Sequence, residues 1–295
     1  MVGTEFEMKI AAIDIGTHSV LLLIAEKHSD GTIIPLIEEA TLTRIGEGMG
    51  STSVFLPAGM QRTLDVLKKY KTICDKHGVE KIVAVGTAAF RKATNAKDFV
   101  AHVEKECGIV IKIIPGEREA ELTWKAASTD FGKDIVVVDI GGGSTEIIST
   151  GSAISIPIGS VLLTEKYGQD YDKLCNAIDD KLPFIGHQTS DIEHRALVAT
   201  AGTATTLGAI KNKMKVYQHA EIHGSKISLE EIKTIIADLK SKTVEERKKI
   251  PGLEPGRADV ILAGSLLLQK ITHHFGIEEI TISDRGVRWG LIYES

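Results

Sequence analysis

The chain has 295 residues, 43% hydrophobic and 25% charged, with a net charge of −5. This is the composition of a folded protein with length for two domains and no need of a staple, and the acidic balance argues against a general nucleic-acid coat. Cys74, Cys107 and Cys175 have neither zinc nor redox spacing and read as small apolar residues of a reducing cytoplasm, and no apolar run approaches the roughly 18–20 residues of a membrane span.

In chain order, the segment "MVGTEFE" is expected to stand outside the fold, with Met8 as the native start and no signal peptide. "IAAIDIGTHSVLLLIAE" (Ile10 to Glu26) reads as a strand, a turn and a second β-prone stretch. Pro57 to His77 is predicted helical, with Met60, Leu64, Leu67 and Cys74 on one face and Gly78 as its stop. Lys81 to Gly86 is a short buried strand, Asn95 to Cys107 a helix ending at Gly108, and "IVIKII" the next strand. Glu117 to Ser128 is a helix with an acidic first turn, and Ile135 to Ile140 a strand. Helices are expected at Val161–Tyr167 and Tyr171–Ile185, and "ALVATAGTATTLGAI" is a strand passing through a small-residue turn into a helix. Ser228 with Glu231 forms a capping-box pattern. Arg257 to Phe275 is a long apolar helix, "EEITIS" a last strand, and "DRGVRWGLIYE" a closing helix. Alternating strands and helices place the chain in the α/β class.

"IVVVDIGGGSTEIISTG" (Ile135 to Gly151) echoes the first hairpin stretch, with Asp139 matching Asp14. Two such units suggest a duplicated domain. The domains are expected at 1–126 and 127–295, with the last helix packing back on the first.

Glycine turns let backbone N–H groups converge on an anion. Gly16, Thr17 and Ser19 form one candidate phosphate loop, and Gly141, Gly142, Gly143 and Ser144 another. Rossmann spacing fails at Gly141–Gly143, and no Gly-Lys-Ser/Thr is present. The β-branched exit after Ser144 favours a hairpin instead. "TAGTATT" offers a third anion loop at Gly202 and Thr203. A carboxylate beside a phosphate needs an intervening cation, and Mg²⁺ takes one or two carboxylates plus phosphate oxygens. Asp14, Asp139 and Glu146 suit that role.

These hairpins and the Thr-Ala-Gly-Thr loop resemble the actin-like ATPase superfamily. "VGTAAFRKATNAKDF", "PGEREAELTW", "VDIGGGSTE", "GLEPGRADVILAG" and "SDRGVRWGLI" resemble, in order, the motifs of the exopolyphosphatase / guanosine pentaphosphate phosphohydrolase family. The resemblance implies two duplicated actin-like (ribonuclease H-like) α/β domains with a central cleft. It implies a cytoplasmic, Mg²⁺-dependent hydrolase that removes the terminal phosphate of polyphosphate, and it suggests a homodimer. It places the water-activating glutamate on Glu119, which the residues alone do not distinguish from Glu117 or Glu121 as partners of a helix N-terminus. Arg91 matches a family arginine that stabilises phosphoryl charge, and Asn95, four residues later, shares its helix face if the helix starts early. Asp284 and Arg285 are expected to brace the domain interface.

His18 stands where the family often has Asn, and reads as a packed or surface residue or as a phosphate contact when protonated. Longer family members continue into further helical domains, so shorter polyphosphates are the expected substrates here. Guanosine pentaphosphate hydrolysis, a non-catalytic polyphosphate or guanosine tetraphosphate sensor, and a kinase or ATPase of the superfamily are the alternative readings. Neither a membrane nor a specific nucleic-acid partner is expected. The lysine-rich runs "LKKYK" (Leu67 to Lys71), "KNKMK" (Lys211 to Lys215) and "KSKTVEERKK" (Lys240 to Lys249) are candidates for an anion path or simply solvated faces.

Overall fold

The computed structural model describes residues 6–183 and 195–295. They fall into two units, Met1–Ala126 with Val287–Ser295, and Ala127–Gly286.

The first unit begins with a meander of β1 (Phe6–Ile15), β2 (Ser19–His28) and β3 (Ile33–Leu42). After α1 (Met49–Thr52) and α2 (Pro57–Lys76), β4 (Lys81–Gly86) joins β1 in parallel. Then come α3 (Ala88–Lys92), α4 (Ala96–Cys107), β5 (Ile111–Ile113) and α5 (Gly116–Phe131). The sheet order is β3-β2-β1-β4-β5. β1 alternates with period two and is buried on both faces. Ala11, Ile13 and Ile15 pack with Leu64 and Leu67 of α2 and Phe99 of α4, while Ile10 and Ala12 pack with Leu122 of α5. Contrary to the sequence expectation, the strand starts before Met8, because Phe6 already pairs with His28. Asn95 is also corrected. It is the N-cap residue of α4, whereas Arg91 lies in α3, and its side chain accepts from Phe55 N at 2.8 Å and donates to Phe55 O at 3.0 Å.

The second unit repeats the plan. A meander of β6 (Ile135–Ile140), β7 (Thr145–Ser149) and β8 (Ser152–Ile156) leads to α6 (Ser160–Tyr167) and α7 (Tyr171–Asp179). The predicted α7 continuation to Ile185 runs past Asp179, and its last two residues lie outside the described residues. β9 (Ala196–Thr200) feeds α8 (Ala201–Lys211), followed by α9 (His219–Ile222), β10 (Lys226–Ser228), α10 (Leu229–Lys240) and α11 (Val244–Arg247). The Ser228–Glu231 capping box is present at the start of α10. The helix expected from Arg257 starts later. Pro255–Arg257 is a 3₁₀ turn and α12 spans Ile261–His274. β11 (Glu279–Ile282) closes the sheet, and α13 (Val287–Glu294) belongs to the first unit, packed on β1 and β2. Gly290 permits that docking, since a Cβ there would stand 2.2 Å from Leu122 O.

The second sheet reads β10-β11-β9-β6-β7-β8. Without β10 it is β11-β9-β6-β7-β8, the order and strand sense of β5-β4-β1-β2-β3. The duplication expected from the Asp14 and Asp139 echo is therefore a duplication of topology. Among the described residues no helix is long and apolar enough to cross a membrane.

Candidate active site

Within each unit, parallel strands end at one sheet edge, and the residues just beyond those ends collect there. In the first unit Asp14 lies at the end of β1, Arg91 five residues past β4 and Glu119 six residues past β5. Arg91 Nη1 donates to Glu119 Oε2 at 2.6 Å and to Ile114 O at 3.1 Å. The second bond ties the guanidinium to the chain that leads from β5 into α5.

Glu119 is mostly buried. Burial raises its carboxyl above the ordinary range, and the charge and hydrogen bond of Arg91 pull the other way without prevailing. Asp14 is half-buried as a residue, but its Oδ1 is enclosed and without a hydrogen-bond partner. Burial and then the nearby Glu119 charge push Asp14 up to about 7, against the pull of Arg288. The structure thus brings Asp14, Arg91 and Glu119 together.

The hairpin loops take the same form in both units. Gly16 N donates to Ser19 O at 2.9 Å, and Gly141 N to Ser144 O at 3.0 Å. Asp14 pairs in register with Leu21, and Asp139 with Glu146. Directly paired residues point to the same sheet face, so Asp139 and Glu146 stand side by side. Glu146 is buried and accepts from Ser155 Oγ at 2.8 Å. Across four strands the second sheet carries the row Thr200, Asp139, Glu146, Ser155. The first carries Val85, Asp14, Leu21, Ala40.

Hard divalent cations take oxygen donors. The Asp139–Glu146 pair, flanked by hydroxyls, fits such an ion, and so does the enclosed Asp14 Oδ1. These are the three carboxylates singled out from the sequence, one in the first unit and two in the second.

Gly202 and Thr203 open α8 at the end of β9. Ala201 before them has φ 66°, left-handed and costly for a residue with a Cβ. A Cβ on Gly202 would stand 2.1 Å from Arg257 Nη1, so that guanidinium lies directly on this loop. Its turn is held from below. Arg247, almost fully buried, bonds Gln169 Oε1 and donates to Leu239 O at 2.7 Å and Ala258 O at 3.4 Å, while Gln169 donates to Asp259 O at 2.8 Å.

Sequence reasoning passed over Arg257, although it lies in a motif already singled out. It also passed over Arg288, buried against Glu38 at 2.8 Å with Trp289 Nε1 donating to the same carboxylate at 3.4 Å. No local pattern marks a pair so distant along the chain. His18 is buried, and its carbonyl accepts from Thr43 N and Arg44 N. Asp284 and Arg285 are engaged within the second unit, Asp284 with His219 and Arg285 with Asp130 at 2.6 Å. Much of the lysine runs is spent on neighbouring groups. Lys68, Lys69 and Lys71 bridge to Glu106, Glu39 and Asp75, Lys211 to Glu231, Lys242 to Asp238 and Lys248 to Glu245. That is the behaviour of solvated faces.

The profile of the Ppx/GppA phosphatase family matches residues 23–295. The chain is 33% identical to the bifunctional 3-dehydroquinate synthase/phosphatase of Fusobacterium nucleatum, over 96% of this chain and 46% of that protein. It is thus about half the length of that relative. It is 30% identical to exopolyphosphatase 2 of Mycobacterium tuberculosis, over 96% of this chain and 97% of that one. It is 29% identical to the guanosine-5'-triphosphate,3'-diphosphate pyrophosphatase of Photobacterium profundum, over 96% of this chain and 58% of that one. The solved Aquifex aeolicus PPX-GPPA enzyme superposes with a TM-score of 0.79 at 32% identity, covering 98% of this chain and 99% of that one. A Cytophaga hutchinsonii exopolyphosphatase superposes at 0.88 with 26% identity, over 97% and 96%.

Proposed function

As this chain belongs to the Ppx/GppA phosphatase family, we propose that it hydrolyses the terminal phosphoanhydride of linear polyphosphate, with Glu119 orienting and deprotonating the attacking water. The observation that carries this reading is the half-buried Arg91–Glu119 pair beside Asp14. A carboxylate raised by burial is a better base than an exposed one, provided it is ionised at working pH. The Arg91 counter-charge favours that ionised form. Arg91 also fixes the carboxylate direction, because Ile114 O anchors the guanidinium. Phosphoryl transfer asks chiefly for such positioning and for neutralisation of charge.

The hairpin N–H groups around Gly16, Thr17 and Ser19, and around Gly141, Gly142, Gly143 and Ser144, supply phosphate donors. Gly202 and Thr203 add the start of α8, with Arg257 laid over it. Asp139 and Glu146, or Asp14, would hold Mg²⁺, which when bound supplies charge neutralisation at phosphate oxygens. The near full-length match to a protein named exopolyphosphatase supports polyphosphate as the substrate.

The test is phosphate release with Mg²⁺, offering polyphosphates of several lengths, guanosine pentaphosphate and ATP in parallel. Release from polyphosphate is expected. Release from guanosine pentaphosphate alone would move the assignment to that substrate, and release from none would overturn the enzymatic reading.

A further inference from the structure

Both hairpin loops are held from behind by the chain that follows the third strand of their meander. After β3, Gly46 N donates to Thr17 O at 2.9 Å, and Thr43 N and Arg44 N donate to His18 O at 3.1 and 2.9 Å. After β8, Ser160 N donates to Gly141 O at 3.0 Å, and Val161 N and Leu162 N donate to Gly142 O at 3.0 and 3.1 Å. The approach is made at Ile-Gly in both cases, Ile45-Gly46 and Ile158-Gly159. A Cβ on Gly46 would stand 2.3 Å from Thr17 Cγ2, and one on Gly159 2.6 Å from Gly142 C and O. Neither glycine has positive φ, so what requires glycine is closeness rather than backbone conformation.

The consequence follows from the planar trans peptide. A carbonyl and the next N–H point in opposite directions. Drawing the carbonyls of Thr17 and His18 backward turns the N–H groups of His18 and Ser19 forward. Drawing those of Gly141 and Gly142 backward does the same for Gly142 and Gly143. The clamp also withdraws carbonyl oxygens that would repel an anion.

We infer that Gly46 and Gly159 are positioning residues that aim the two phosphate loops, an inference that rests on the phosphate-binding reading above. The duplication supports it independently. The loops differ in sequence at Thr17/Gly142 and at His18/Gly143, and the bonded carbonyls are offset by one position, yet a backing Ile-Gly and a hold on two successive carbonyls, Thr17 O and its counterpart Gly142 O among them, recur.

The test uses tripolyphosphate with Mg²⁺. Binding is measured by calorimetry in a Glu119→Gln background, where turnover does not compete, and KM and kcat are measured in chains that keep Glu119. Gly46→Ala and Gly159→Ala are each expected to weaken binding at least about tenfold, with KM rising more than kcat falls. Thr17→Ser removes the Cγ2 that the new methyl of Gly46→Ala would meet. The double variant Gly46→Ala/Thr17→Ser, whose methyl still stands 3.2 Å from Thr17 O, should therefore regain most of the affinity of Thr17→Ser alone. If Gly159→Ala does not fold, as judged by circular dichroism, the Gly46 pair decides.

Folded glycine variants that bind like their parent, or a double variant as weak as Gly46→Ala, would overturn the inference and leave the proposed function standing. A parent that binds no tripolyphosphate would remove both.

Discussion

At the edge where the hairpins turn, the first sheet carries Val85, Asp14, Leu21 and Ala40, and the second carries Thr200, Asp139, Glu146 and Ser155. The strand order and loop closure match, but one row holds a single carboxylate among apolar neighbours and the other is polar throughout. A duplicated scaffold can thus divide labour by side chains alone. The first unit gathers Glu119 and Arg91 beside its lone aspartate, where desolvation shifts carboxyl groups upward. The second pairs two carboxylates, a donor set suited to a cation, and lays Arg257 over its third loop.

The sharpest way to break the comparison is to make the second row like the first. Glu146→Leu should raise the Mg²⁺ concentration for half-maximal activity by roughly 10–100-fold or more, since even supporting residues of metal sites have effects of that size. An unchanged titration would leave Asp14 as the cation ligand. In the first unit, Arg91→Met removes the counter-charge from Glu119. The acid limb of the pH–rate profile should move up by about 1–3 units, because the ionised base becomes harder to form. A profile that stays put would detach Arg91 from the base.

Asp14 gives a stability test with a defined sign. Its carboxyl is raised from 3.8 to about 7 in the fold. Between those values the native state holds a proton that the unfolded chain has released. That contribution is complete below pH 3.8 and lost as pH rises through about 7. With a chelator present, thermal stability of the parent minus that of Asp14→Asn should fall over this window. A flat difference would contradict the shift.

The smallest effect contrasts Ala201, left-handed at φ 66° after the N-cap Thr200, with Ala88, which follows the N-cap Thr87 of α3 and has no positive φ. Ala201→Gly should stabilise by about 1 kcal/mol, whereas Ala88→Gly should destabilise by roughly 0.5–1 kcal/mol. Thermal melts would report both signs.

Much of this architecture is legible in the sequence because its signals are local. β4 and β6 are short apolar runs bounded by polar residues, α2 opens on Pro57, and Ser228 with Glu231 caps α10. The two Asp-Ile-Gly turns announce the hairpins. The outer strands β3 and β8 give no such signal. β3 contains Pro35 and two glutamates, which an edge strand with one neighbour tolerates, and β8 is short and mostly exposed. Asn95 misled because its reason is tertiary, two hydrogen bonds to Phe55. Gly46, Gly159 and Gly290 look like ordinary glycines until the distant backbone each one touches is in place. Arg91 and Glu119 lie in recognisable motifs, but 28 residues separate them and only the fold brings them to 2.6 Å.

The most direct measurement is turnover and affinity of Glu119→Gln against the parent, with Mg²⁺ and a polyphosphate of defined length. The account predicts a loss of about 10²–10⁴ in kcat with tripolyphosphate affinity retained. Full turnover in the variant, or a loss that comes only from weakened binding, would contradict it.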